Sequence, residues 1–233
     1  AALGVLALGY IIYKGTNGNE EWSRVSAIFI FSIANIFFWS GFEQAGGTFN
    51  LFAADETNRM IGETEVAASL FQSINALAIF IFAPLLASFW VALATRNRNP
   101  STPAKFGWGL TFLALGFVVM SLASFAAEGE ALVSPMWLVG VYVIHTFGEL
   151  CLSPIGLSMI TKLAPPKIVS VMMGLWFASM ALANYMAGIM ESLLEGIFPG
   201  MNLFVFLTIT AGTGALMMFA LTPVLKKLMK GIH

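Results

Sequence analysis

The sequence has very little charge for its length. Charged residues make up 10% of the 233 residues, while apolar residues make up 58%. A soluble globular protein usually carries about 25% charged residues. So little polar surface cannot cover this much apolar side chain in water, whereas in a lipid bilayer the solvent itself is apolar. The composition therefore excludes a soluble domain and favours an integral membrane protein.

The residues and motifs of soluble enzymes are also scarce. The single cysteine, Cys151, lies inside an apolar run, cannot form an internal disulfide and is expected to be a small packed residue. The sequence contains no phosphate-binding loop, no His-Glu-x-x-His, no Cys-x-x-Cys and no Gly-x-Ser-x-Gly. We therefore predict that the chain is not an enzyme and has no metal site or cofactor. The net charge of −1 gives no reason to expect a nucleic-acid partner.

Long apolar runs separated by short polar breaks predict six transmembrane helices. Each run is about 20 residues or longer, which is enough for a helix to cross a bilayer. The predicted spans are Val25–Phe52, Val66–Ala94, Phe106–Ala126, Pro135–Thr161, Ile168–Met190 and Leu203–Leu225. The alternation that barrel strands need is absent. The predicted fold class is therefore an all-α integral membrane protein built as a six-helix bundle.

The basic residues of the loops fall on one side of this predicted bundle. Of the 11 lysines and arginines, only Arg59 belongs to the loops that carry most of the acidic residues. By the positive-inside rule, the basic loops and the C-terminus are cytoplasmic. We predict a multi-pass protein of the plasma membrane, which in a bacterium is the inner membrane.

The start of the chain predicts a small separate segment. Residues 1–13 are apolar but too few to span a bilayer, and the chain does not begin with methionine. We interpret residues 1–13 as the end of a truncated helix, residues 14–23 as a cytoplasmic linker and residues 24–233 as the six-helix bundle.

Two acidic residues, Glu43 and Glu149, lie inside predicted spans. Glu149 falls close to the middle of its span, whereas Glu43 is nearer the outer side. A charged group at membrane depth costs at least about 2.5–3.5 kcal/mol, and it usually marks a proton or substrate pathway. The alternative is a protonated carboxyl that is hydrogen-bonded to a neighbouring helix.

The stretch around Glu149 is unusual for a membrane helix. Ser153 lies four residues after Glu149 on the same helix face, and Pro154 removes a backbone hydrogen bond one turn earlier. This combination predicts a carboxyl beside a weakened helix, as a gated site requires. His145, one turn before Glu149, either shares a proton with that carboxyl or is a buried neutral histidine that donates to a backbone carbonyl.

Other deep polar and aromatic residues lie in neighbouring spans. Asn75 is a polar residue well inside the second span. Trp176 and Phe177 lie in the fifth span, too deep for the interfacial position that membrane aromatics usually take. We predict that they line a cavity. The glycine pair Gly46–Gly47 predicts either a bend in the first span or the close approach of another helix.

Four motifs in order resemble the proton-dependent oligopeptide transporters, a branch of the major facilitator superfamily with two six-helix bundles. They are Phe42-Glu43-Gln44-Ala45-Gly46 with Leu51-Phe52-Ala53-Ala54-Asp55, Gln72-Ser73-Ile74-Asn75, Gly148-Glu149-Leu150 to Ser153-Pro154, and Gly174-Leu175-Trp176-Phe177. They resemble the seventh, eighth, tenth and eleventh helices of the family. The resemblance implies that this chain is the C-terminal half of such a transporter, with an N-terminal six-helix bundle as its partner.

The resemblance also implies a role for each candidate residue. Glu149 and Asn75 would receive the amino terminus of a di- or tripeptide, with Ser153 beside them. Trp176 and Phe177 would line side-chain pockets. Glu43 would take part in proton coupling together with Glu149, and protons would be the coupling ion. Asp55 would form an outer-gate ion pair with the missing half, and Pro154 would serve a gate in the tenth helix.

Three other readings stay open at this point. The first is a related transporter for nitrate or another anion, although two deep acids and no deep base suit a cationic group better. The second is a structural membrane protein whose carboxyls are packed. The third is a subunit of a membrane-embedded enzyme or redox pump, which would need a ligand set that His145 alone does not supply.

Overall fold

The computed structural model describes residues 2–129 and 132–232, which leaves Ala1, Glu130, Ala131 and His233 outside the described residues. The described chain is almost entirely helical. Its α-helices are α1 (Ala2–Gly15), α2 (Gly18–Phe42), α3 (Thr48–Asp55), α4 (Ser73–Thr95), α5 (Thr102–Ala127), α6 (Met136–Leu163), α7 (Val169–Ile197) and α8 (Leu203–Leu228). Three 3₁₀ turns lie at Glu43–Ala45, Ala68–Gln72 and Pro166–Ile168. Two short strands, β1 (Met60–Ile61) and β2 (Thr64–Glu65), pair as an antiparallel hairpin.

The six predicted spans are confirmed. Six helical segments of the described chain are long and apolar enough to cross a membrane. They are Gly18–Asp55, Ala68–Thr95, Thr102–Ala127, Met136–Leu163, Pro166–Ile197 and Leu203–Leu228. Most run a few residues beyond the predicted bounds because hydropathy marks the part inside lipid, while helical hydrogen bonding continues outside it.

The predicted linker 14–23 is wrong in its extent. Helix α1 ends at Gly15 and α2 begins at Gly18, so only two residues separate them. The side chain of Glu21 accepts a hydrogen bond from the Asn17 N–H at 2.6 Å. Acidic groups in a first turn are favourable because they face the positive end of the helix dipole. Polar sequence therefore begins this helix well before the apolar run starts.

The first span is broken near the end that is away from α1. Helix α2 ends at Phe42, a 3₁₀ turn follows, and α3 starts after Gly47. A methyl group added to Gly47 would meet no other atom within 4 Å. Of the two predictions for the glycine pair, the bend is therefore what the structure has, and close approach of another helix is not.

The bundle core lies between α5 and its neighbours. Helix α5 packs against α6 and α8, and α2 packs against α7 and α8. Between α5 and α6 the backbones come close because Gly109 faces Gly148, where an added methyl group on Gly148 would lie 2.9 Å from the Gly109 carbonyl oxygen. Small residues permit such contact, and van der Waals packing drives helix association in lipid.

The loop after α3 and the loop before α6 are tied together. The Asn58 N–H donates to the Val133 carbonyl at 2.9 Å, and the Val133 N–H donates to the Glu56 carbonyl at 2.8 Å. Arg59 pairs with Glu65 of the hairpin at 2.5 Å and donates to the Val66 carbonyl. These bonds fix the end of the first span against the start of α6, which carries Glu149.

Candidate functional site

Glu149 and Asn75 meet between α4 and α6, as the resemblance implies. The Asn75 amide Nδ2 donates to Glu149 Oε2 at 2.9 Å and to Thr146 Oγ1 at 3.0 Å. The Thr146 hydroxyl in turn donates to the Tyr142 carbonyl at 2.7 Å. We call Tyr142, Thr146, Asn75 and Glu149 the carboxyl network. Glu149 is half-buried, so its carboxyl still reaches a surface.

The direction of the hydrogen bonds in the carboxyl network is fixed. The single proton of the Thr146 hydroxyl goes to the Tyr142 carbonyl, so Thr146 Oγ1 can only accept from Asn75. Asn75 must therefore present its amino group to Thr146, and the second amino proton points at Glu149. This arrangement holds Glu149 Oε2 as an acceptor. The other carboxyl oxygen is left to accept from a further donor.

Glu149 has no cationic partner in the part of the chain that the structure describes. The ion pairs described there are Arg24–Glu20 and Arg59–Glu65, both outside the site. When both carboxyls are ionised, the second acid, Glu43, repels Glu149. Two carboxyls without a described cation beside them suit a positively charged group from a ligand.

Glu43 lies in the 3₁₀ turn after α2 and is half-buried. Its two following neighbours anchor the turn. The Gln44 amide donates to the Ala187 carbonyl of α7 at 3.2 Å, and the Tyr142 hydroxyl donates to the Ala45 carbonyl at 3.2 Å. Within residues 2–129 and 132–232, no hydrogen bond or ion pair of the Glu43 carboxyl is described. The contacts that hold the turn therefore do not involve this carboxyl.

His145 belongs to the core rather than to the carboxyl network. It is 2% exposed, and its Nε2 lies 3.1 Å from the Leu113 carbonyl. Phe42, Phe49 and Phe117 surround the ring with centroids 4.9 to 6.1 Å away. Of the two sequence alternatives, the buried histidine bonded to a backbone carbonyl is the one that the structure has. Sharing a proton with Glu149 is not supported because the imidazole faces α5.

Ser153 and Pro154 follow Glu149 on α6. Ser153 is half-buried one turn further along, and Pro154 is exposed. The helix remains continuous from Met136 to Leu163 across the proline. Pro154 therefore does not divide α6 in this conformation, and its gate role stays a prediction.

Trp176 does not lie where the sequence predicted. It is 3% exposed, and its ring packs over Gly156 of α6, with Phe106 of α5 at 6.4 Å between centroids. The depth of Trp176 in its span argued against an interfacial anchor, but the same depth is compatible with a position in the core. Gly156 leaves the space that the indole ring fills. Trp176 is thus a core residue here rather than a cavity wall. Phe177 is 54% exposed on the same helix and remains available to a ligand.

Asp55 is the last residue of α3 and is exposed at the end of the bundle away from the basic loops. Arg59, the base that lies at this end, is paired with Glu65. Asp55 is therefore open to a basic partner from outside the described chain.

Comparison with known proteins shows the family of this chain. The sequence profile of the POT family matches residues 7–199. The chain belongs to the POT family.

The POT family relatives extend beyond this chain. The peptide transporter YePEPT of Yersinia enterocolitica is 43% identical over 77% of the chain, which covers 36% of that transporter. Dipeptide and tripeptide permease B of Yersinia enterocolitica is 30% identical over 78% of the chain, which covers 38% of that permease. The crystal structure of a peptide transporter POT in complex with sulfate superposes with a TM-score of 0.85 and 34% identity, over 99% of this chain and 46% of that one. This chain therefore spans between about a third and a half of each.

The fold is a six-helix bundle of the major facilitator type found in POT transporters. Against this background, Thr146 and Tyr142 are the site residues that sequence reasoning missed. Thr146 lies three residues before Glu149, and this spacing places both on one helix face. The same spacing argument that points to Ser153 therefore also points to Thr146. Tyr142 lies one further turn back and joins the network through its carbonyl, a contact that no side-chain pattern reveals.

Proposed function

We propose that this chain is the C-terminal six-helix half of a proton-coupled symporter of di- and tripeptides that works by alternating access. The observation that carries the proposal is the half-buried Glu149 carboxyl, which is fixed by Asn75 and has no cation beside it in the described chain. The ammonium of a peptide amino terminus supplies the missing donor and charge. The names of the relatives, a peptide transporter and a dipeptide and tripeptide permease, support the substrate class.

Peptide recognition by termini explains the division of charge between the two halves. A peptide zwitterion carries one ammonium and one carboxylate, so an acidic bundle must face a basic one. This chain contributes acids at depth, and we propose that the N-terminal bundle contributes the bases. Contacts to the termini are common to every peptide. Ser153 then lies beside the amino-terminus site, while Phe177 contacts variable parts of the substrate and adds little discrimination.

Proton coupling is assigned to Glu43 together with Glu149. Glu43 has no partner among the described residues, lies nearer the outer end and interacts with Glu149 through charge. Protonation of one carboxyl therefore lowers the repulsion at the other. Asp55 closes the outer side by pairing with a base of the N-terminal bundle, and Pro154 allows α6 to bend when the inner side opens. No cofactor and no enzymatic step enter this mechanism.

The proposed transporter lies in the inner membrane with its basic loops and C-terminus in the cytoplasm. Single cysteines at the exposed positions Asn97 and Glu128 test this orientation, because the two positions lie beyond opposite ends of helix α5. A membrane-impermeant maleimide should label the Glu128 site from outside and the Asn97 site only after the membrane is opened. Labelling of both sites from the same side would contradict the six-span arrangement.

The function itself is tested by uptake of a labelled dipeptide into proteoliposomes that contain the full-length protein. Uptake above equilibrium should require an inward proton gradient and should stop when a protonophore dissipates that gradient. Accumulation of nitrate, or no dipeptide accumulation with a demonstrably folded protein, would contradict the proposal.

A further inference from the structure

A large cavity lies at the end of the bundle that carries the basic loops. It has a volume of about 720 Å³ and is bounded by the loop before α5, the first turn of α5, and the last turns of α6 and α8. Lys105, Lys162 and Lys226 line it, together with the hydroxyls of Ser101, Thr102 and Ser158. None of the described residues that line it is acidic. The cavity therefore concentrates positive charge and hydrogen-bond donors, which is the chemistry of a phosphate site.

Lys105 is held in place within this cavity. Its Nζ lies 4.6 Å from the centroid of the Trp90 ring, which is a cation–π contact. The ring belongs to the end of α4, so it orients the lysine from the neighbouring helix. Ser101 is the N-cap residue of α5, and its side chain makes no capping hydrogen bond. The backbone N–H groups of the first turn that have no partner within the helix add to the positive potential there.

An apolar groove adjoins the basic cavity. It has a volume of about 320 Å³. Its lining is aromatic and aliphatic and includes Phe89, Trp90, Trp108 and Phe112. Pro100 lines both spaces, and Trp90 lies in the groove while it contacts Lys105 of the cavity. A basic cavity that continues into an apolar groove matches a molecule with an anionic head and a hydrocarbon chain.

We propose that this paired cavity and groove bind an anionic phospholipid, with the phosphodiester of the headgroup against Lys105 and Lys226 and an acyl chain along the Trp90–Trp108 groove. Basic pockets between helices on the cytoplasmic side of a membrane are a known way to hold anionic headgroups. A free phosphate would use the lysines but leave the groove unused. The proposal is independent of the transported substrate, because the cavity opens beside α8 and the carboxyl network lies between α4 and α6.

The test is lipid binding to the full-length transporter, purified in detergent and titrated with phosphatidylglycerol or phosphatidylcholine by native mass spectrometry. The parent should bind phosphatidylglycerol more tightly than phosphatidylcholine. Each lysine near a membrane surface contributes about fivefold to the affinity for an anionic lipid. The double variant Lys105→Gln with Lys226→Gln should therefore lose roughly 30-fold in phosphatidylglycerol affinity, with a smaller loss for phosphatidylcholine, whose phosphate charge is offset by its own choline.

The matched control neutralises Lys227 and Lys230, which are exposed at the same end of α8 but do not line the cavity. This control should stay within about threefold of the parent in phosphatidylglycerol affinity, because its lysines do not line the cavity and in detergent no charged bilayer surface is present for them to attract. Lys105→Arg keeps the charge and should bind nearly as the parent does, which separates loss of binding from loss of folding. An equal loss in the Lys227 and Lys230 control, or no loss in the double variant, would overturn the proposal.

A further arm distinguishes lipid from free phosphate and from substrate. Inorganic phosphate and the deacylated headgroup glycerophosphoglycerol should not displace bound phosphatidylglycerol, because neither occupies the groove. Saturating dipeptide should not displace it either. Displacement by the phosphate compounds would reassign the cavity to a soluble anion, and displacement by dipeptide would reassign it to the substrate.

Discussion

Neutralising Glu149 is the most direct test of the proposed site. Glu149→Gln keeps the size of the side chain and one oxygen that can accept from Asn75. Its new amino group, however, faces the position where a peptide ammonium would donate, so a donor meets a donor and the charge pair is lost. Removing one partner of a desolvated charge pair costs about 2–5 kcal/mol, so dipeptide affinity should fall by about 30-fold or more.

The matched control is the second deep carboxyl. Glu43→Gln makes the same change of charge and shape, but Glu43 has no hydrogen bond to the carboxyl network among the described residues. It fixes a neutral side chain where the mechanism needs one that alternates between charged and neutral. We expect exchange of dipeptide down its own gradient to survive in this variant, while accumulation driven by a proton gradient is lost.

Both variants should be compared in two assays on the full-length protein, namely dipeptide binding in detergent and uptake into proteoliposomes with and without a proton gradient. The reasoning fails in two separable ways. If Glu149→Gln binds dipeptide as the parent does, the ammonium site lies elsewhere. If Glu43→Gln still accumulates dipeptide under a proton gradient, then Glu43 is not the coupling group.

Two further predictions concern the contacts around the site. Asn75→Ala removes the donor that orients Glu149 and should weaken dipeptide binding by about 1–3 kcal/mol. The control is Gln72→Ala, an exposed position on the same helical segment, which should have little effect. Equal losses of the two variants in a binding titration would contradict the carboxyl network. Gly148→Ala places a methyl group 2.9 Å from the Gly109 carbonyl oxygen and should destabilise the bundle by about 1–3 kcal/mol, seen as a lower melting temperature in detergent. The control is Gly140→Ala on the same helix, where the added methyl group meets open space. A Gly148→Ala protein as stable as the parent would refute the close contact.

Much of the bundle can be predicted because membrane helices are defined by length and hydropathy. The helix ends are less predictable: α2 starts at Gly18 because acidic residues favour a first turn, although hydropathy places the start of the span at Val25. The break after Phe42 was visible only as a glycine pair, and the sequence allowed two outcomes for it.

Which face of each helix is buried could not be predicted, and this explains the misplacement of Trp176 and the two alternatives that the sequence left open for His145. In water the polar face of a helix identifies the solvent side. In lipid both the packed and the lipid-facing sides are apolar, so depth in the span says nothing about direction. Trp176 turns toward Gly156, and His145 turns into the space left by Gly116. Both side-chain orientations depend on glycines in a neighbouring helix, and the sequence of one helix alone does not reveal them.

The carboxyl network also provides a physical path between the two acids. The Tyr142 hydroxyl holds the Ala45 carbonyl in the turn that carries Glu43, while its own carbonyl accepts from Thr146. Thr146 in turn fixes the Asn75 amide that holds Glu149. Any movement of the turn when Glu43 changes charge must therefore either carry α6 with it or break the bond at Tyr142. Because the bonds from Tyr142 to Glu149 have only one consistent direction, they cannot adjust by reversing their donors. Charge repulsion and this shared framework act on the same two carboxyls, and we propose that together they would link proton uptake at one to ligand binding at the other.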